Sequence, residues 1–197
     1  MKRLHRRDLF GWSWFYEPLN IDFNSVAWIR DGGNVIVDPL PLSAHDRAHL
    51  EKLGGAAWVI VTNSDHVRAT RELVAAFGAR VAGPAAERDA FPLACDRWLA
   101  DGDELAPGLA AFALDGSKTP GELALVLDGT TLITGDLVRA HRAGALMMLS
   151  PEQKLKDAAR ARGSIARLAA LPIEAVLVGD GWPLFADGAR HLANLTA

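Results

Sequence analysis

The sequence predicts an α+β fold built from two mixed β-sheets flanked by helices, and three observations carry that expectation. The chain has 197 residues, half of them hydrophobic, which suits one domain spanning 1–197 with a large buried core. Short apolar runs rich in Val, Ile and Leu recur along it and read as strands. Their order against the helical patterns is hairpins, a strand-helix-strand unit, further hairpins, a long helix, a strand and a last helix. Hairpins imply antiparallel pairing and helical crossovers imply parallel pairing, so the arrangement reads as two sheets with helical cover.

Residues 1–23 form a basic and aromatic segment: Lys2, Arg3, His5, Arg6 and Arg7 precede Phe10, Trp12, Trp14, Phe15 and Tyr16. Such a mixture can hold an anionic partner or a stacked base. The favoured reading is a solvated basic end followed by aromatics that cover a sheet or form the seam of a homodimer. Strands follow at 25–30 and 34–38, joined by Asp31-Gly32-Gly33-Asn34, a strong hairpin signal because Gly adopts positive φ without steric cost. A helix at 43–53 precedes a strand at 57–62, a helix at 67–77 and a strand at 80–82. Strands at 109–114, 122–127 and 130–134 come next, the last two joined by Asp128-Gly129. A helix at 151–171, a strand at 175–179 and a helix at 186–195 complete the order.

Composition excludes several functions. A net charge of −3 lacks the strongly basic face of a nucleic-acid binder. No apolar run approaches the roughly 20 residues needed to cross a bilayer, and the start is not followed by a signal-type apolar core, so no membrane is expected and the location reads as cytoplasmic. Cys95 is the only cysteine, which rules out an intrachain disulfide and a thiolate cluster. Any metal must use His, Asp or Glu.

Chemistry concentrates at four strand ends: Thr62-Asn63-Ser64-Asp65-His66, the loop Asp115-Gly116-Ser117-Lys118-Thr119-Pro120-Gly121-Glu122, Thr134-Gly135-Asp136, and Val178-Gly179-Asp180-Gly181-Trp182. Any one of these is compatible with a turn or, for Asn63, Ser64 or Asp65, with a helix cap. Together they deliver carboxylates and a histidine to the ends of several strands, the distribution of a site assembled at one sheet edge. Arg139, His141 and Arg142 follow Asp136 in what reads as an overhanging loop able to grip a carboxylate or phosphate, with His141 as a proton shuttle. Trp182 reads either as a wall of the pocket or, in the favoured reading, as packing against Pro183 and Phe185. Ser117 beside Lys118 is a poor nucleophile-base pair, because adjacent side chains rarely converge.

These motifs resemble the metallo-β-lactamase fold superfamily from about Asn24 onward: the hairpin ending in Val35-Ile36-Val37-Asp38-Pro39, the Thr-then-Asp-His turn, the Thr-Pro-Gly loop, the strand ending in Gly135-Asp136 and the late strand ending in Gly179. The resemblance implies a four-layer αββα sandwich. It also implies a two-metal hydrolase site, from which this chain departs. The family's His-x-His pair is absent and its motif is two residues shorter here, Lys118 stands at the loop histidine, and Asp180 stands at the late histidine. Asp65, His66, Asp136 and Asp180 remain groups that can bind a metal. An oxygen-rich set of this kind would suit manganese or iron, with zinc also allowed, and a dinuclear centre is not expected.

Two readings stay open. In one, a single divalent metal on those four residues activates water for hydrolysis of an ester, thioester, lactone or phosphoester, with Lys118, Asp136 and His141 as catalytic groups. In the other, the Lys118 ammonium replaces a metal ion, neutralises the remaining carboxylates and leaves a non-catalytic binding or scaffold protein that holds a small anion.

Overall fold

The computed structural model describes residues 1–196. A seven-stranded mixed sheet contains, in spatial and chain order, β1 (Lys2–Arg3), β2 (Leu9–Tyr16), β3 (Ile21–Trp28), β4 (Val35–Val37), β5 (Trp58–Ile60), β6 (Arg80–Pro84) and β7 (Arg97–Leu99). Helices α1 (Ala44–Lys52) and α2 (Thr70–Phe77) make the crossovers that leave β4, β5 and β6 parallel. The second sheet contains β8 (Glu104–Ala106), β9 (Leu109–Ala113), β10 (Leu123–Leu127), β11 (Thr131–Thr134) and β14 (Ala175–Val178), with β14 parallel to β11 at one edge. A small ribbon of β12 (Val138–Arg142) and β13 (Ala145–Met148) and the helices α3 (Ala158–Ala169) and α4 (Gly188–Ala193) complete the chain.

Alternation along the strands builds the four layers. Leu123, Leu125 and Leu127 of β10 face Val26, Val35, Val37 and Ile60 of the first sheet, forming the core between sheets. The intervening Ala124 and Val126 turn outward onto Ile165 and Leu168 of α3. On the opposite side, Ile36, Val59 and Val61 pack under Leu50 of α1 and Leu73 of α2. The expected αββα sandwich is therefore present.

Turn chemistry explains the hairpins. Asp128 and Gly129 have φ of 48° and 71°, the doubly positive geometry of a type I′ turn, and connect β10 to β11 in register. Three sequence expectations require correction. The aromatic segment is itself strand β2, paired along its length with β3, because alternation puts Phe10 and Trp12 into the core while Trp14, Phe15 and Tyr16 continue beyond it. The helix expected over 151–171 is broken: a 3-10 turn at Pro151–Gln153 stops at Lys154, whose φ is 73°, and α3 restarts after Asp157, whose side chain accepts from the amides of Ala159 and Arg160. Arg139, His141 and Arg142 lie on strand β12 rather than in a loop. β7, β8 and β13 are too short or too interrupted to stand out as apolar runs.

The outer half of the β2–β3 hairpin extends past β4, which pairs only with Val26–Trp28. It is pinned there by the Asn24 amide donating to Gly179 O at 2.8 Å and the Gly181 amide donating to Asp22 O at 2.7 Å. These bonds tie the first sheet to the loop after β14 and fix the walls of the crevice described next. Among the described residues, no helix is long and apolar enough to cross a membrane.

Candidate functional site

The ends of β4, β5, β11 and β14 meet at one edge of the sandwich, and each contributes a polar side chain. Asp38 follows β4 and is buried. It accepts from the Thr62 amide at 2.8 Å and the Thr62 hydroxyl at 2.6 Å, and its Oδ2 lies 2.7 Å from His66 Nδ1. After β5, Asn63 caps the 3-10 turn Ser64–His66 by accepting from the Asp65 amide, and this turn aims His66 inward and Asp65 outward. Asn63 thus caps this turn and also has a place in the site, whereas the helix cap expected from this segment is not formed, since α2 starts after Ala69 without a side-chain cap.

Asp136, after β11, is the hub. Its Oδ2 receives Lys118 Nζ at 2.8 Å and Asn63 Nδ2 at 3.1 Å, while its Oδ1 receives an Arg139 guanidinium N–H at 2.7 Å. Lys118 also reaches Asp65 at 2.9 Å. Asp180, after β14, pairs with Arg139 at 3.3 Å and lies 3.6 Å from Arg68. The structure therefore brings Asp65, His66, Lys118, Asp136 and Asp180 into one network, as the strand-end pattern anticipates. His141 lies two residues beyond Arg139, off the pocket lining, with its Nε2 buried and without a hydrogen-bond partner. Burial, then Arg139, lowers the His141 pKa.

Asp38, Arg68 and Glu122 are not singled out as site residues by sequence reasoning. Asp38 has a signal, since it ends a run of buried β-branched residues. Arg68 has none that separates it from a solvated helix arginine. Glu122 is wholly buried, receives the Ser117 hydroxyl on one oxygen and the Leu137 amide at 2.8 Å on the other, and so holds the turn that carries Asp136. Ser117 and Lys118 diverge onto Glu122 and Asp136, which removes the nucleophile-base pairing.

The electrostatics follow from these contacts. Burial and Arg68 push the His66 pKa down, but Asp38 and Asp136 outweigh them and raise it to about 9, so His66 is protonated at neutral pH. Burial alone would raise the Asp136 carboxyl; His66 and Lys118 instead hold it well below the usual carboxylate range. Burial, then the nearby Asp136 charge, raises Glu122 to about 7. The carboxylates of Asp38, Asp65, Asp136 and Asp180 thus face Lys118, Arg68, Arg139 and protonated His66.

A divalent metal does not fit this donor set. Both Asp136 oxygens are occupied by basic groups or an amide, Asp65 is held by Lys118, Asp180 Oδ2 faces Arg139, and His66 Nε2 faces Arg68 at 3.4 Å. An added cation would meet one ammonium and two guanidinium groups, a repulsion that the carboxylates, already neutralised, do not offset. Among the described residues, no group of three or more His, Cys, Asp or Glu side chains is placed to hold a metal ion.

Above the network opens a cavity of about 750 Å³. Its walls are Trp14, Tyr16, Leu19, Phe23 and Leu40, with Lys154 and Glu72 among its other polar lining residues. Trp182, expected to pack against Pro183 and Phe185, is instead 57% exposed and lines a separate cavity beside β2.

A family model described as the metallo-beta-lactamase superfamily matches residues 1–197. The chain belongs to the metallo-beta-lactamase superfamily. Relatives of this superfamily member include a hydroxyacylglutathione hydrolase of Acidiphilium cryptum, 30% identical over 86% of the chain and 70% of its own length. Another, from Fuscovulum blasticum, is 34% identical over 65% of the chain, and the match spans about half of the relative, 51%. Among solved structures, a metallo-beta-lactamase family protein of Thermus thermophilus superposes with a TM-score of 0.73 at 18% identity, covering 98% of the chain and 79% of that structure. The FIM-1 metallo-beta-lactamase of Pseudomonas aeruginosa in its mono-zinc form gives 0.73 at 13% identity, covering 100% and 94%. These structural likenesses establish the shared fold.

Proposed function

We propose that this superfamily member is a metal-independent binding protein whose crevice holds a small anionic ligand, with Lys118 supplying the positive charge that a metal ion would bring. The observation that carries the reading is the Lys118 ammonium at 2.8 Å from Asp136 and 2.9 Å from Asp65. It neutralises the hub carboxylate and keeps one of its three N–H groups free for a ligand. The cavity volume lies in the range that encloses a small organic molecule, and its aromatic walls supply apolar contact beside the charged floor.

The competing reading is a hydrolase that uses one metal, favoured by relatives of 30% and 34% identity named hydroxyacylglutathione hydrolase. One experiment separates the two. Protein purified without chelator from metal-replete medium is analysed for zinc, iron and manganese, and assayed with a hydroxyacylglutathione thioester. The binding reading expects less than about a tenth of an equivalent of metal and no turnover above background. Near-stoichiometric metal that Asp136→Ala removes, with turnover lost in parallel, overturns it.

A further inference from the structure

Resting on the binding reading above, we propose that the crevice recognises a carboxylic acid with a hydrogen-bond donor, hydroxyl or ammonium, on the adjacent carbon and an aromatic or branched apolar tail. The carboxylate meets Arg68 and Lys118, the donor meets Asp180 Oδ1, and the tail lies along Trp14, Tyr16 and Phe23.

Asp180 supplies the first observation. The residue is 4% exposed and lines the cavity, yet its Oδ1 has no hydrogen-bond partner; Arg68 stops at 3.6 Å. A buried carboxylate oxygen facing a cavity without a donor is an incomplete site, because buried polar atoms are almost always paired. Its other oxygen is already engaged by Arg139, so the unpaired one calls for an N–H or O–H from the occupant.

Arg68 supplies the second. Its φ of 42° is left-handed backbone in a residue with a long side chain, a conformation that persists only where surrounding contacts impose it and that clusters at ligand clamps. Its NH1 is committed to the carbonyls of Asn24 at 2.7 Å and Asp38 at 3.2 Å, which anchors the guanidinium. Its NH2 has only His66 Nε2 at 3.4 Å and Asp180 at 3.6 Å. Both contacts are long, so NH2 is an oriented but weakly satisfied donor at the cavity. An acceptor without a hydrogen bond and a weakly satisfied donor thus stand side by side, and adjacent hydroxyl or ammonium and carboxylate groups match that pair. The same guanidinium lies 5.5 Å from the Phe23 ring, and Tyr16 stacks on Phe23 at 5.2 Å, so the apolar wall begins where the polar head ends.

The test measures binding of 3-phenyllactate, phenylalanine and 3-phenylpropionate by calorimetry. The first two carry the head with a hydroxyl or an ammonium, and the third lacks the donor. At least one donor-bearing ligand is expected to bind about tenfold or more tightly than phenylpropionate, and the better of the two identifies the donor. Arg68→Gly, which relieves the positive φ, and Arg68→Lys, which keeps the charge but not the planar fork, are each expected to weaken that ligand about tenfold or more. Trp14→Ala, at a position 59% exposed, is expected to weaken it about threefold or more while leaving the fold intact. Equal affinity for phenylpropionate, no binding of any of the three at millimolar concentration, or unchanged affinity in both Arg68 variants overturns the assignment of the head. The metal analysis of the preceding section is run on the same preparation. A failed head assignment on metal-poor protein leaves the binding reading standing, whereas a full equivalent of metal removes both.

Discussion

At the scale of the residue, the network works by balance, and removing one partner strands another. Lys118→Met leaves Asp136 with Arg139 and Asn63 but deprives it and Asp65 of their shared ammonium. The expected loss is about 3 kcal/mol, near the lower limit for breaking a buried pair because Arg139 remains, and urea unfolding measures it. His66 and Glu122 give stability a pH dependence of one sign. The His66 pKa is raised to about 9 from 6.5, so its contribution is complete below 6.5 and is lost as pH rises through about 9. Glu122 is raised to about 7 from 4.5, so the unfolded chain releases that proton first and stability falls as pH rises from about 4.5 to about 7. Each shift corresponds to about 3 kcal/mol. In melts between pH 4 and pH 10, Glu122→Gln is expected to flatten the lower limb of the decline and His66→Gln the upper one. A wild-type profile that rises across pH 5 to 9 would contradict both assignments.

At the scale of the element, strand ends and their turns decide where charge is placed. Gly181 follows Asp180 with φ of 95°, and a Cβ there would collide with the Ala140 carbonyl of β12. β12 also carries Arg139, so the close approach of these two backbones sets the Arg139–Asp180 pair. Gly129 in the β10–β11 turn has φ of 71° but open space around it. Gly129→Ala is therefore expected to cost only the left-handed backbone term, about 1 kcal/mol. Gly181→Ala is expected to cost about 3 kcal/mol or more, because backbone must move, and to weaken ligand binding through the displaced Asp180. Thermal melts of the two variants side by side distinguish strain alone from strain plus collision. The β2–β3 hairpin shows why some elements escape a sequence reading: the outer half of β2, Ser13–Tyr16, is exposed throughout and lacks alternation, so only its pairing with β3 makes it a strand.

At the scale of the whole molecule, the two sheets share one interior, and the crevice inherits its rigidity from that contact. Leu125 of β10 is buried between the sheets against residues of both. Leu125→Ala is expected to cost about 3 to 5 kcal/mol, measured by chemical unfolding, with the loss exceeding that of any exposed aromatic of the hairpin. The layered architecture also places the β4 and β5 ends opposite the β11 and β14 ends, which is how residues as far apart in the chain as Asp65 and Asp180 line one pocket.

What the sequence by itself determined is the set of layers and the chemistry at their edges. Period-two strands, helical patterns and Gly-containing turns are local signals, so two helix-covered sheets, the Asp128-Gly129 hairpin and the polar strand ends were legible in the chain, while the four-layer sandwich and the grouping of Asp65, His66, Lys118, Asp136 and Asp180 were implied by the family resemblance. Tertiary structure alone decided how the arginines meet the carboxylates. Arg68 carries no local mark that separates it from a solvated arginine, Arg139 reads only as part of an anion-gripping loop, and their pairing with Asp180 and Asp136 depends on side chains brought together by two sheets. The physical reason is range: backbone propensity is written in neighbouring residues, whereas a buried ion pair is set by distance in space and by the exclusion of water around it.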